Sequence, residues 1–483
     1  MFRRALPVLS ILLAAMAAAA PIATGRAIAA EACRITRGDA RLLIRATVLL
    51  PDRAVPEGQV LVDAGGRIAC VGTECLAQAA GATLLDCPAD VLSPGLVNTH
   101  DHLAYAAVAP KPDTGERYEH RHEWRKGLDG HRALEDFTPV HDPEIEAWGE
   151  LRFLVGGTTS TVGGDMAPGL VRNLDFAAGL EGLRLRPVIY RIFPLDDAAG
   201  IMRTRDCDYG HHPATRAEVA GSAAFLAHVA EGRDEAARNE FRCESRTDYD
   251  RTPQPGGGGT SEDWIVPQAT LIHAVALTPA DLALVARRGA SIVWSPRSNL
   301  SLYGRTLDVV EARRLGITVA LGSDWLPSGS MNLNRELACA LRLDRTRLGG
   351  ALDMRELWQM VTLDAARAAH ADAEIGSIAV GKVADLALFR PANSDPYAAV
   401  VEGSPGSTVA VWRGGTLLFG EPAVVDGLRP GCEALEVAGR EQRLCREAGR
   451  PSAAALMAYA RDQRLYPLAF ESTPLNEPPC DER

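Results

Sequence analysis

Lysine is almost missing from this 483-residue chain: Lys111, Lys126 and Lys382 are the only three. A basic surplus is missing as well. Arginine supplies nearly all the positive charge, and the formal net charge is -11. A chain of that sign does not present the basic face that phosphate binding needs, which excludes nucleic acid as a partner. No Cys-x-x-Cys pair occurs among the ten cysteines, so a zinc-thiolate site is not indicated. After Ala20 no stretch is long and apolar enough to cross a bilayer. What is present is ordinary for a soluble globular protein, with 47% hydrophobic and 23% charged residues. The length calls for one large α/β barrel with an appendage, or for two to three domains.

The N-terminus reads as a secretory leader over residues 1–29. Arg3 and Arg4 form a basic start, Leu6 to Ala20 an apolar run, and Ala27-Ile28-Ala29 a small-x-small cleavage site. The expected location is therefore periplasmic or secreted, with no stable membrane insertion after cleavage. All ten cysteines follow that site, and an even number in an oxidising compartment implies disulfides. Cys70, Cys75 and Cys87 cluster, with Cys33 as a fourth partner. Cys207 and Cys243 bracket one segment, and Cys432 and Cys445 lie close together. Cys339 reads as a buried helix residue. Pairing itself is not legible.

Three blocks follow the leader. Residues 41–92 alternate apolar and polar, with Gly65-Gly66 as a hairpin turn. Residues 93–373 alternate short apolar strands with helical stretches, the pattern of a parallel α/β fold. Seven strand signals are visible where a (β/α)8 barrel needs eight, and the missing one is expected between Arg191 and Ser222. Residues 374–425 return to β-hairpins, which with the first block would build a small β-sandwich. Residues 430–483 read as a disulfide-linked tail. The glycine-rich stretch Thr252 to Thr260 is expected at the N-terminal face of the barrel, away from chemistry. The segment from Leu103 to His141 would rise over the C-terminal face and cover the site.

The chemistry concentrates at strand ends. His100 and His102 close the run Ser93-Pro-Gly-Leu-Val-Asn-Thr. Residues at i and i+2 of a strand point to the same side, so both imidazoles can meet one metal ion. His228, His273 and Asp324 close three further apolar runs. Strand C-termini crowd around one axis in a barrel, which would bring all five together. Imidazoles with a carboxylate suit Zn2+, with Fe2+ the alternative. A second His-x-His, His120 and His122, lies in the covering segment with no apolar run before it. It reads as substrate-facing or as plain surface polarity.

These motifs resemble the amidohydrolase superfamily. Pro94 to His102 looks like its opening metal motif. Ile272-His273, Trp294-Ser-Pro-Arg-Ser-Asn-Leu300 and Leu321-Gly-Ser-Asp324 are similar to its later strand motifs, and Ile375 to Leu388 to the closing hairpin of one branch. That branch holds cytosine and guanine deaminases, triazine hydrolases and imidazolonepropionase. The resemblance covers roughly Leu42 to Gly420. It implies His100, His102, His228 and Asp324 as ligands of one divalent metal, with His273 beside it. Glu231, three residues after His228, matches the His-x-x-Glu of the deaminase-like members. Some relatives bridge two metals with a carboxylated lysine on the fourth strand. No lysine lies between Lys126 and Lys382, so that version is excluded.

The implied reaction is hydrolysis of a non-peptide carbon–nitrogen bond, as deamination or as opening of a cyclic amide or amidine, by water ionised on the metal. Asp324 would take the proton, Glu231 would pass it to the substrate nitrogen, and His273 would oppose the developing charge. Arg297, Asn299 and His122 are the expected substrate contacts. Trp325 makes its strand end bulky and apolar, which argues against a small, polar pyrimidine-like substrate. A metallo-amidase or lactamase without the glutamate shuttle, and a non-catalytic metal-binding barrel, are the competing readings. The expected partners are a small molecule and, at most, further copies of the chain in a homo-oligomer.

Overall fold

The structure, a computed structural model, describes Met1 and residues 33–134, 138–252, 260–404, 406–446 and 450–480. Apart from Met1, the expected leader lies outside the described residues, as does most of the glycine-rich stretch.

The first strands are β1 (Arg34–Thr36), β2 (Asp39–Leu49), β3 (Ala54–Val62), β4 (Ile68–Gly72) and β5 (Ala82–Pro94). In β2 the alternation is literal: Ile44, Ala46 and Val48 are buried, while Arg45 between them reaches out to Asp86 of β5 at 2.7 Å. The chain then enters eight parallel strands, β6 (Leu96–Asn98), β7 (Thr158–Thr161), β8 (Arg172–Asn173), β9 (Ile189–Arg191), β10 (Phe225–Val229), β11 (Ala269–His273), β12 (Ser291–Trp294) and β13 (Val319–Leu321). They form a three-stranded sheet, β6-β7-β8, and a five-stranded one, β9 to β13. Single contacts join the two at both seams rather than full ladders. Val188 N–H donates to Leu174 O at 2.8 Å on one side, and Asp324 N–H to His100 O at 2.9 Å on the other. Gly322 permits the second approach, since a Cβ there would sit 2.5 Å from that of His100.

The eighth strand is not where the sequence pattern puts it. It is β8, before β9, and not in the segment between Arg191 and Ser222. β8 is two residues long and carries no apolar signal. Its Arg172 is buried and ion-paired with Asp385, a substitute for a hydrophobic inward residue.

The last strands are β14 (Leu386–Phe389), β15 (Thr408–Arg413), β16 (Thr416–Gly420), β17 (Glu433–Val437) and β18 (Arg440–Leu444). They do not build a separate sandwich sheet. β14 pairs with β5, and both flanks merge into one ten-stranded sheet, β17-β18-β16-β15-β14-β5-β2-β3-β4 with β1 on β5. In the expected disulfide-linked tail, Cys432 pairs with Cys445 and Cys480 with Cys339. β17 and β18 extend the sheet, and the rest is bound to the barrel by Arg152, whose guanidinium donates to Tyr466 O at 2.8 Å. Among the described residues no helix is long and apolar enough to cross a membrane.

All ten cysteines are paired: Cys33–Cys87, Cys70–Cys75, Cys207–Cys243, Cys432–Cys445 and Cys339–Cys480. Cys339 is buried in the helix Leu333–Leu343 as expected, but it is cross-linked to the end of the chain. Titration of the denatured, non-reduced protein should therefore find essentially no reactive thiol; a majority reacting would refute the pairing.

Candidate active site

Four donor atoms converge at the C-terminal ends of β6, β10 and β13. His100 Nε2 lies 3.2 Å from His102 Nε2 and 3.1 Å from His228 Nε2. Asp324 Oδ1 lies 3.4 Å from His100 Nε2 and 3.5 Å from His102 Nε2. Ligands held about 2.0–2.1 Å from one tetrahedral ion stand roughly 3.3 Å apart, so the set fits a single divalent metal. His100 Nδ1 is 3.0 Å from Ser295 Oγ, which leaves Nε2 free to present its lone pair. Burial holds His100 and His228 far below the usual imidazole range and His102 at about 3, with neighbouring imidazoles adding to the effect. They are therefore neutral at physiological pH, as ligation requires. Burial pushes Asp324 well above the carboxylate range, and Glu231 adds to this. A cation at the convergence point would remove that penalty.

Backbone strain aims two of these side chains. His273 has φ 71° and Asp324 φ 60°, left-handed values rare outside glycine and typical of functional sites. His273 Nδ1 is 2.8 Å from Asn299 Oδ1 and so carries the proton in the neutral ring, with Nε2 turned to the cavity. Its Nε2 stands 3.7 Å from Glu231 Oε1 and 4.0 Å from Asp324 Oδ2. Glu231 accepts a hydrogen bond from Tyr303 O–H at 2.7 Å, and Tyr303 in turn accepts from Trp124 Nε1–H at 2.9 Å. Ser298 Oγ–H donates to Asp324 Oδ2. The cavity so formed measures about 260 Å³, and its lining includes His102, His228, Glu231, His273, Asp324, Tyr105, Trp124, Arg125, Phe193 and Trp325.

The three residues expected to touch substrate do not line it. Arg297 is buried and turned away, donating to Ser330 Oγ at 2.6 Å, Pro478 O at 2.5 Å and Arg335 O at 2.9 Å. Asn299 holds His273 and donates to Thr306 Oγ1 at 3.1 Å. His122 is buried between Asp197 at 2.9 Å and Arg125 at 2.8 Å. The cause at the first two is helical rotation. Pro296–Tyr303 is a helix, so Ser298 faces the metal ligands while Arg297 faces the tail.

The covering segment does form a lid. Its helix Arg121–Lys126 is stitched to the loop after β10 by Arg121 N–H to Glu231 O at 3.1 Å and Arg233 N–H to Glu119 O at 2.7 Å. The second His-x-His anchors it. His120 Nδ1 accepts from His122 N–H, and His122 Nδ1 accepts from Arg125, so both rings carry their protons on Nε2. Those Nε2 atoms face Glu240 and Asp197, which also pair with Arg121. Protonated nitrogens around a guanidinium are a salt-bridge network and not a ligand set.

That network has a pH signature. Burial lowers His122 to about 4, against the opposing hydrogen bond that its Nε2–H donates to Asp197. The unfolded imidazole titrates near 6.5. Between those values the unfolded chain holds the proton and the folded chain does not, so stability falls as pH drops from 6.5 toward 4. A shift of that size is worth on the order of 3 kcal/mol. Urea unfolding at pH 7.5 and 4.5 should show a larger loss for wild type than for His122→Gln.

Two more residues at the site went unweighed in the sequence. Tyr190, in the middle of β9, places its ring 5.9 Å from those of His102 and His228 and donates its O–H to Asp101 O at 3.1 Å. It occupies the fourth strand, where the two-metal relatives would need lysine. Its strand is three residues long, too short for a clear alternation. Ser298 lies between Arg297 and Asn299, on the face that a helix starting at Pro296 turns toward Asp324.

The amidohydrolase family model matches residues 219–418. A 5-methylthioadenosine/S-adenosylhomocysteine deaminase of Symbiobacterium thermophilum is 25% identical over 430 residues, 78% of this chain and 93% of that protein. Over these residues the chain is similar to the amidohydrolase superfamily. It is an enzyme of the class that hydrolyses carbon–nitrogen bonds other than peptide bonds. Two solved structures share the fold of this chain. A zinc-bound adenosine deaminase from Xanthomonas campestris has a TM-score of 0.57 at 20% identity, covering 88% of this chain and 97% of that one. An atrazine chlorohydrolase from Arthrobacter aurescens with zinc has a TM-score of 0.57 at 20% identity, covering 78% and 95%.

Proposed function

We propose that this chain is an exported zinc deaminase of a planar, aminated heterocycle. The observation that carries the reading is Glu231, buried at the cavity wall within 3.7 Å of His273 Nε2 and oriented by Tyr303. A zinc ion held by His100, His102, His228 and Asp324 would supply Lewis-acid activation of water at neutral pH. Asp324, next to those imidazoles, accepts the proton of the attacking water. Glu231 delivers a proton to the departing nitrogen, which turns an amine into a leaving group. His273 orients the water by accepting a hydrogen bond from it at the free Nε2. The lid helix and Trp325 shield this exchange from bulk water. Export is supported by the pairing of all ten cysteines, which suits an oxidising compartment.

Metal analysis combined with a screen of aminated heterocycles, cyclic amides and amidines, scored for ammonia, tests the reading. One zinc per chain with ammonia release from an aminated heterocycle is the expected result. Ring opening without ammonia would make the enzyme a cyclic amidase instead. Metal without any turnover would overturn the enzymatic reading.

A further inference from the structure

The cavity carries a cation that has no direct ion pair among the described residues. Arg125, on the lid helix, lines it and stacks on Phe193, with the guanidinium carbon 4.2 Å from the ring centroid. Its hydrogen bonds go to the neutral ring of His122 at 2.8 Å and to Ala198 O at 3.4 Å. Among the described residues no carboxylate lies within ion-pair distance of it. Its neighbour Arg121 differs in kind, being spent on Asp197 and Glu240. A half-buried guanidinium without a counter-ion is costly unless a ligand completes it. Burial pulls the Arg125 pKa down and Arg121 adds to this, while the more distant charges of Asp197 and Glu231 offset only part of that cost.

The rest of the cavity is aromatic. The rings of Trp124 and Trp325 lie 5.1 Å apart, and Tyr105 meets Trp325 edge-on at 5.2 Å. Trp325 is 6.4 Å from His102, so this wall begins at the metal ligands. Such a wall grips a flat ring by its faces and edges. A cavity of about 260 Å³ suits a compact ligand of one or two rings and not an extended one.

We propose that the substrate's ring carries a carboxylate, which Arg125 binds while Trp124, Trp325 and Tyr105 hold the ring. The planar fork of a guanidinium matches two carboxylate oxygens, which an ammonium does not. The ion pair anchors the ring against the lid and so selects acidic heterocycles over neutral ones of the same shape. This inference rests on the reading of the cavity as the substrate site, but its test needs no turnover.

Benzoate and benzamide, equal in shape and different in charge, are the probes, titrated calorimetrically into the metal-loaded full chain. Benzoate should bind at least tenfold more tightly than benzamide. Arg125→Met should abolish that preference and leave benzamide binding in place, which also reports an intact cavity. Arg125→Lys should restore only part of it. The preference should survive removal of the metal. Equal affinities in wild type, or a preference that persists in Arg125→Met, would overturn the proposal. So would a preference that disappears with the metal, since benzoate would then be a metal ligand. Benzoate selectivity through Arg125 alongside a failed ammonia screen would sink the deaminase reading and leave this one standing.

Discussion

Glu231→Gln is expected to lower kcat by about 10²–10⁴-fold, the range ascribed to a general acid–base group, while the protein keeps its metal. The substitution preserves the size of the side chain, and its amide oxygen still accepts from Tyr303. It removes only the ability to carry a proton. Glu231 stands outside the convergence of His100, His102, His228 and Asp324, so elemental analysis should return the same metal content as wild type. His228→Ala provides the contrast and should lose metal and activity together. Turnover within about threefold of wild type in Glu231→Gln would remove it from the chemistry. Loss of metal in that variant would make it a ligand instead.

Arg297→Met is expected to cost about 3–5 kcal/mol of stability, because it strips one partner from a buried, charged network. The guanidinium ties the helix after β12 to the end of the chain through Ser330, Pro478 O, Arg335 O and Glu477, the last at 3.2 Å. The next residue, Ser298, holds Asp324, and Asn299 holds His273. Urea unfolding should show the lost stability, and kcat should fall more than KM rises as the ligand and His273 lose their alignment. The opposite pattern, a raised KM with unchanged stability, belongs to a substrate contact and would restore the role that the sequence motif suggests.

The difference between those two readings shows where sequence reasoning runs out. His100 and His102 are legible because a strand has a period of two, and an i, i+2 pair has one orientation only. The segment from Ser295 to Asn299 has no such guarantee. Its residues turn by about 100° each once Pro296 starts a helix, and which one meets the metal depends on the angle at which the helix leaves β12. The eighth strand fails for a related reason. A strand is found by its apolar inward residues, and β8 replaces them with Arg172, neutralised by Asp385 more than two hundred residues later. No local pattern contains that partner. The second His-x-His, at His120 and His122, matches the first in spacing. Only the donors at its Nδ1 atoms, Arg125 and a backbone amide, reveal that its lone pairs are already taken.

By itself, then, the sequence determined the chemistry available: four candidate metal donors at strand ends, a carboxylate three residues after one of them, and no lysine to bridge a second metal. Donor type and short-range periodicity suffice for that, because both are local. The tertiary structure decided which polar groups face the cavity and which face the protein. It turned Arg297 toward the tail, Asn299 onto His273 and His122 into the lid's anchor, and it left Arg125 beside the aromatic wall with no direct ion pair among the described residues. Those outcomes depend on contacts between residues far apart in the chain, where the cost of burying an unpaired charge selects the partner and sequence spacing carries no information about it.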